Sequence, residues 1–188
     1  RIAVAVLLQI GVSASVSVHL VPIHVSFGAT ATEAAGMAVF LGVGALASKF
    51  LAGWIADRVN SGLLPLVAFS LPVGGYLLLI EGGGSLVALS TATFILGCGS
   101  GAAMHMIMYL TTQYGGLRNF GKIYGSISAL MGLAAGIGPY ALGHIYDSTA
   151  SYDLFLMIAI PVLLLAGLLV FRLGPFPDFV PERIAAPA

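Results

Sequence analysis

Charge is scarce in this chain: Lys and Arg together number 7, and Asp and Glu together 7, in 188 residues. A soluble domain covers about 25–35% of its surface with charged side chains. A composition only 7% charged and 59% hydrophobic therefore excludes an ordinary water-soluble fold. With net charge zero, a nucleic-acid partner has no electrostatic support and none is expected. Cysteine is nearly missing as well. The single Cys98 excludes an intrachain disulfide. Neither an HExxH sequence nor a Cys/His cluster accompanies the four histidines, so no metal site or cofactor is implied.

What the chain has instead is long apolar runs, with a mean hydropathy of +1.06. Each crossing of a bilayer needs about 20 apolar residues. The pattern predicts six helices, at about 2–27, 31–56, 62–80, 86–113, 120–146 and 152–173. Their breaks carry turn-forming residues, at Gly28 to Thr32, Asp57 to Gly62, Glu81 to Ser85, Gln113 to Asn119 and Asp147 to Ser151. Residues 1–174 are thus expected to form one transmembrane bundle in a lipid bilayer. Residues 175–188, with Pro175, Pro177, Pro181 and Pro187, are expected to form an irregular cytoplasmic tail. Position 1 is Arg and the first apolar run is too long for a signal-peptide core, so the chain is expected to be part of a larger protein.

Basic residues in short loops stay on the cytoplasmic side. Arg1, Arg58, Arg118, Lys122, Arg172 and Arg183 fall on one side of the predicted topology, and Glu33, Glu81, Asp147 and Asp153 on the other. Both ends of the chain are then cytoplasmic, with the plasma (inner) membrane as the expected location.

Small residues let helices approach closely in lipid. In the fifth segment Gly121, Gly125, Ser128, Gly132, Gly136, Pro139 and Gly143 recur at steps of three and four; in the second, Ala38, Gly42, Ala45, Lys49, Ala52 and Ala56 do the same. These two helices are expected to pack tightly against others. Segments three and six, rich in Leu, Val and Ile, are expected to face lipid. Matching roles for two and five, and for three and six, suggest a three-plus-three inverted repeat, an arrangement common in transporters.

Lys49 lies about 12 Å along the helix from Asp57, deep enough that its charge is costly unless paired, hydrated or able to snorkel. His19 lies about 25 Å up its helix and His105 about 12 Å above the cytoplasmic end of another. They are too far apart in depth to share a metal ion. His105 shares a helix face with Gly101, Met108, Tyr109 and Thr112, a plausible cavity lining, while a hydrogen-bonded packing role competes with substrate contact at both histidines. His24 and His144 are expected near the outer surface, in contact with solvent. Asp57 sits at a helix C-terminus, where the macrodipole disfavours a carboxylate. A cationic or helix-N-terminal partner is expected for it, with Arg58 adjacent and Arg118 in the other cytoplasmic loop.

Gly53-Trp54-Ile55-Ala56-Asp57-Arg58 resembles the cytoplasmic loop motif of the major facilitator superfamily, in the copy that joins the eighth and ninth helices. Tyr114-Gly115-Gly116-Leu117-Arg118-Asn119-Phe120-Gly121-Lys122-Ile123-Tyr124-Gly125 is similar to the start of the eleventh helix in carboxylate-type members. Gly136-Ile137-Gly138-Pro139, then Gly143 and Tyr146-Asp147, resemble the rest of that helix, and His19-Leu20-Val21-Pro22 is similar to the seventh helix of bacterial members. The order matches across most of the chain.

The resemblance implies an all-α membrane protein, the carboxyl-terminal six-helix half of a twelve-helix secondary transporter whose amino-terminal half is a missing partner. In monocarboxylate-transporting relatives an Arg four residues before the motif's first Gly contributes to carboxylate binding. Lys49 stands at that spacing, keeping the charge without the bidentate fork. The expected function is alternating-access transport of a small organic anion such as a carboxylate, as a symporter or antiporter with a coupling proton as a candidate partner. Lys49, His19, His105 and Tyr109 are the expected substrate contacts. Asp57, Arg58, Arg118, Gly136 and Pro139 are the expected gating positions. A non-transporting receptor or scaffold on the same fold is the alternative, whereas an enzyme would need a convergent cluster that the histidine depths disfavour.

Overall fold

The computed structural model describes residues 1–59 and 62–174. The expected tail at 175–188, with Arg183, lies outside the described residues, as do Asn60 and Ser61. Within them the chain is helical, with no strand: α1 Ile2–Val18, α2 Leu20–Ser26, α3 Ala31–Ala56, α4 Leu63–Ser70, α5 Pro72–Glu81, α6 Leu86–Thr149 and α7 Asp153–Val170.

Local chemistry accounts for the breaks. The first apolar segment is two helices bent by 67° rather than one. Pro22 has no N–H for the Val18 carbonyl four residues back, and its ring crowds that carbonyl, so α1 ends there and His19 joins it to α2. Pro72 likewise opens α5 after α4 closes at Ser70. Thr30 begins α3 with a capping box, in which its hydroxyl accepts from the Glu33 amide and its own amide donates to the Glu33 carboxylate.

The loop expected at 113–119 is reduced to one residue. Gly116 alone leaves helical geometry, at φ 67 and ψ 160, and separates a first arm of α6 (residues 86–115) from a second (residues 117–149). This backbone region is essentially glycine-only. Gly116→Ala is expected to cost about 1–3 kcal/mol, read as a lower thermal midpoint of the purified protein.

Two core clusters fix the direction of every segment. One holds Val12, Val16, Ile23, Ala34, Met37, Leu79, Leu89, Leu96, Leu142 and Leu156; the other holds Ala5, Val6, Ala52, Ala56, Ala68, Phe69, Met106, Leu110, Ile127 and Val170. The chain passes from one cluster to the other along each segment, so the two arms of α6 are antiparallel and neighbouring segments alternate in direction. Arg1, Arg58, Arg118, Lys122 and Arg172 gather at the second cluster's end, and exposed Glu33, Glu81, Asp147 and Asp153 at the first's. At the basic end Arg1 donates to the Phe171 carbonyl at 2.9 Å and Tyr114 to the Gly174 carbonyl at 2.8 Å.

The packing faces differ from the expected ones. In α3 the buried line is Ala34, Met37, Gly44, Ser48, Ala52 and Ala56, while Ala38, Gly42 and Lys49 are exposed. Of the long apolar helices α3 is the least enclosed. In the second arm of α6, Gly121, Gly125, Gly132 and Gly136 face open space, and it is Gly138 that meets the Gly11 carbonyl and Ser15. A further close backbone contact joins α3 to the first arm of α6, whose glycines the stripes did not mark. Gly97 and Gly101 of the first arm lie against the Leu41 and Ala45 carbonyls of α3, and Gly44 lies against the Phe94 carbonyl. Four-residue spacing of two glycines puts both on one face, where missing side chains let the backbones touch. Bulky Val67, Leu77, Met157, Leu165 and Leu168 of α4, α5 and α7 point outward, and so do Val43, Leu46, Phe50 and Trp54 of α3.

Candidate functional site

The glycine contact between α3 and the first arm of α6 continues one step further, and there it becomes polar. The next position in the Gly97, Gly101 series is His105, and its imidazole fills the space a side chain at position 53 would take: a Cβ on Gly53 would stand 3.1 Å from its Cε1. Lys49 is one turn from Gly53 on α3 and exposed. Tyr109, one turn beyond His105, is partly buried against the basic-end core. Three of the four expected substrate contacts thus fall along one helix pair. The arrangement offers a strongly hydrated point cation, an imidazole and a phenol, groups suited to a polar or anionic solute.

His19 is not part of that group. It sits at the α1–α2 bend toward the acidic end. Its Nδ1 lies 3.1 Å from the Ser15 carbonyl, which can only accept. A Cβ on Gly143 would be 3.8 Å from Nε2. The ring also approaches Tyr152, with centroids 6.2 Å apart, and Tyr152 stacks on Tyr146 at 4.4 Å. His144 is exposed and stacks on Tyr140 at 6.4 Å.

At the basic end, Asp57 closes α3 and is exposed. The neighbouring Arg58 turns back: its guanidinium lies 4.0 Å above the Trp54 ring and donates to the Trp54 carbonyl at 3.1 Å. The adjacent cation is therefore engaged with Trp54, at the helix C-terminus where positive charge is favoured. Arg118 and Lys122 follow Gly116 in the first turns of the second arm. Pro139 lies within the second arm, one turn past exposed Gly136.

Sequence reasoning misplaced His24. It is fully buried, not solvated. Its Nδ1 is 2.7 Å from the Leu20 carbonyl and its Nε2 2.6 Å from Thr93 Oγ1. The signal was weak, because Thr93 is remote in sequence and sits in an unremarkable apolar run. A cavity of about 580 Å³ opens at the basic end among Ile2, Leu110, Tyr114, Ile127 and Leu130, but none of the expected substrate contacts lines it. Among the described residues no group of three His, Cys, Asp or Glu side chains could hold a metal ion.

Residues 2–186 match the family model described as Major Facilitator Superfamily. No curated protein matches the chain.

Proposed function

The chain belongs to the major facilitator superfamily, a family of membrane transporters, and from that premise we propose that it is one six-helix half of a secondary transporter for a small organic anion, a carboxylate by preference. The observation that carries this reading is Lys49. Among the described residues it is the one Lys or Arg lying inside a helix, away from the basic end. It stands exposed beside the His105–Gly53 contact. A lysine at this depth facing hydrocarbon would be costly, whereas one facing an aqueous path attracts anions. Two and three turns further along the same line, the exposed residues are the small Gly42 and Ala38, which would let another helix come close.

In this reading a second six-helix half covers the exposed stripes of α3 and of the second arm. His105 and Tyr109 add polar contacts near Lys49, and His19 contacts solute toward the acidic end. The basic end is cytoplasmic by the distribution of Lys and Arg. The alternating directions of the segments suit a three-plus-three inverted repeat. Asp57, Arg58 and Arg118 bias the cytoplasmic gate, and Gly136 and Pro139 let the second arm adjust as the halves rock. A gradient, with the proton as first candidate, drives the cycle.

The test is a solute screen on the complete protein in liposomes, with and without an imposed proton gradient. Uptake of one or more carboxylates, accelerated by the gradient, is expected. Gradient-independent binding without uptake would favour a receptor or scaffold instead.

A further inference from the structure

The cavity at the basic end has apolar walls and a cationic rim. Its volume, about 580 Å³, falls in the range of small-molecule sites, roughly 300–1,000 Å³. The walls come from Ile2 of α1, Leu110 of the first arm, Ile123, Ile127 and Leu130 of the second arm, and Leu173 past α7. Three hydroxyls also line it, and each has its single proton engaged. Thr111 donates to the Ile107 carbonyl at 2.7 Å, Ser126 to the Lys122 carbonyl at 3.0 Å and Tyr114 to the Gly174 carbonyl at 2.8 Å. None of the three has a further O–H to give an anion inside. A small polar anion would therefore meet apolar walls and no hydroxyl donor.

The rim offers what the interior lacks. Arg1 lines the opening and is exposed. It gives one N–H to the Phe171 carbonyl at 2.9 Å, and its guanidinium keeps others. Lys122 is exposed as well and precedes Ser126 by one turn on the same side of the second arm. Among the described residues Asp57 is the one acid at this end, and it closes α3, no residue of which lines the cavity. An apolar interior beneath two cations matches a molecule with a hydrocarbon chain and an anionic head. Basic pockets between helices at the cytoplasmic surface hold such lipids.

We propose that this cavity binds an anionic phospholipid, with one acyl chain against Ile2, Leu110, Ile127 and Leu130 and the phosphate held by Arg1 and Lys122. Ile123, Ile127 and Leu130 lie on the side of the second arm opposite Gly121, Gly125, Gly132 and Gly136. A second six-helix half laid on the glycine stripe thus sits across the helix from the cavity. The proposal shares with the transport reading only the sidedness of the basic end, and no part of it needs uptake.

Native mass spectrometry of the complete protein in detergent reads the site, with titrations of phosphatidylglycerol, phosphatidylcholine of the same chains, and glycerol phosphate. Phosphatidylglycerol is expected to be retained in preference to both others. Lys122→Gln and Arg1→Gln are each expected to weaken its binding about fivefold; Lys122 is exposed, so its variant tests the rim without disturbing the bundle. Ala3→Phe and Leu130→Trp put a ring into the cavity from two different helices and leave both cations in place, and each is expected to abolish the binding. Equal retention of phosphatidylcholine would deny the rim its part, and glycerol phosphate bound as tightly as the lipid would deny the walls theirs. Full phosphatidylglycerol affinity in both filling variants would place the lipid elsewhere on the basic end. Each of these results overturns the proposal, as does absence of phosphatidylglycerol binding, the outcome if another part of the complete protein fills the cavity. Because binding is the readout, a protein that fails to transport still decides it.

Discussion

Lys49→Ala is expected to lower carboxylate uptake by the complete protein at least about tenfold, the loss that follows from removing one charge-assisted contact to a bound anion. Lys49→Gln is expected to match it, since the amide keeps the reach and hydrogen bonding but not the charge. Lys49→Arg retains the charge on a longer, planar head, and is expected to recover uptake to within several-fold. The three variants separate the transport role from the simplest competing one. A lysine that only snorkels to the headgroups contributes little to solute flux, and in that case all three proteins would transport at the unmodified rate. Position matters as much as charge: Lys49 is one turn from the glycine on which His105 rests, so removing it leaves the α3–α6 contact in place. A loss of uptake with an unchanged thermal midpoint therefore reports on the solute, not on the fold.

Sequence showed what hydropathy, charge and proline control. Long apolar helices were found where the hydropathy placed them, because the bilayer demands length, although the first and third predicted segments are each broken in two and the fourth and fifth run together with a kink at Gly116. The basic and acidic residues do collect at opposite ends, because sidedness is written in a few positions. Sequence missed what depends on which side of a helix meets a neighbour. Gly121, Gly125, Gly132 and Gly136 make a longer stripe than Gly97 and Gly101, yet the shorter pair is the packed one and the longer faces open space. A stripe shows that a helix can be approached closely, and only the arrangement of the other helices shows from where. His24 failed for a similar reason. Five residues separate it from His19, and its depth depends on a bend at Pro22 that turns α2 through 67°, which no periodicity analysis of a single helix reproduces. Of the four proposed substrate contacts, Lys49, His105 and Tyr109 fall along one helix pair because spacing along a helix survives folding, while His19 lies toward the other end of the bundle.

The two kinds of glycine give the remaining prediction. Gly101→Val is expected to destabilise the protein by about 3 kcal/mol or more, because its Cβ would collide with the Ala45 carbonyl and the Ser48 hydroxyl oxygen and helix backbones cannot yield as a flexible side chain can. Poor recovery of monodisperse protein, or a sharply lower melting temperature, is the measurement. Gly132→Ala sits where nothing lies within 4 Å of the added carbon. There the exchange should be neutral or stabilise the helix by up to about 1 kcal/mol. If a second six-helix half closes over this stripe during transport, the same substitution will still slow uptake, because a methyl group intrudes at a moving contact. Folding intact and flux reduced in Gly132→Ala, against folding lost in Gly101→Val, would assign one glycine line to assembly of this bundle and the other to its working partner. Unchanged flux in Gly132→Ala would leave the open stripe without a part in the cycle and would move the contact between halves to another face.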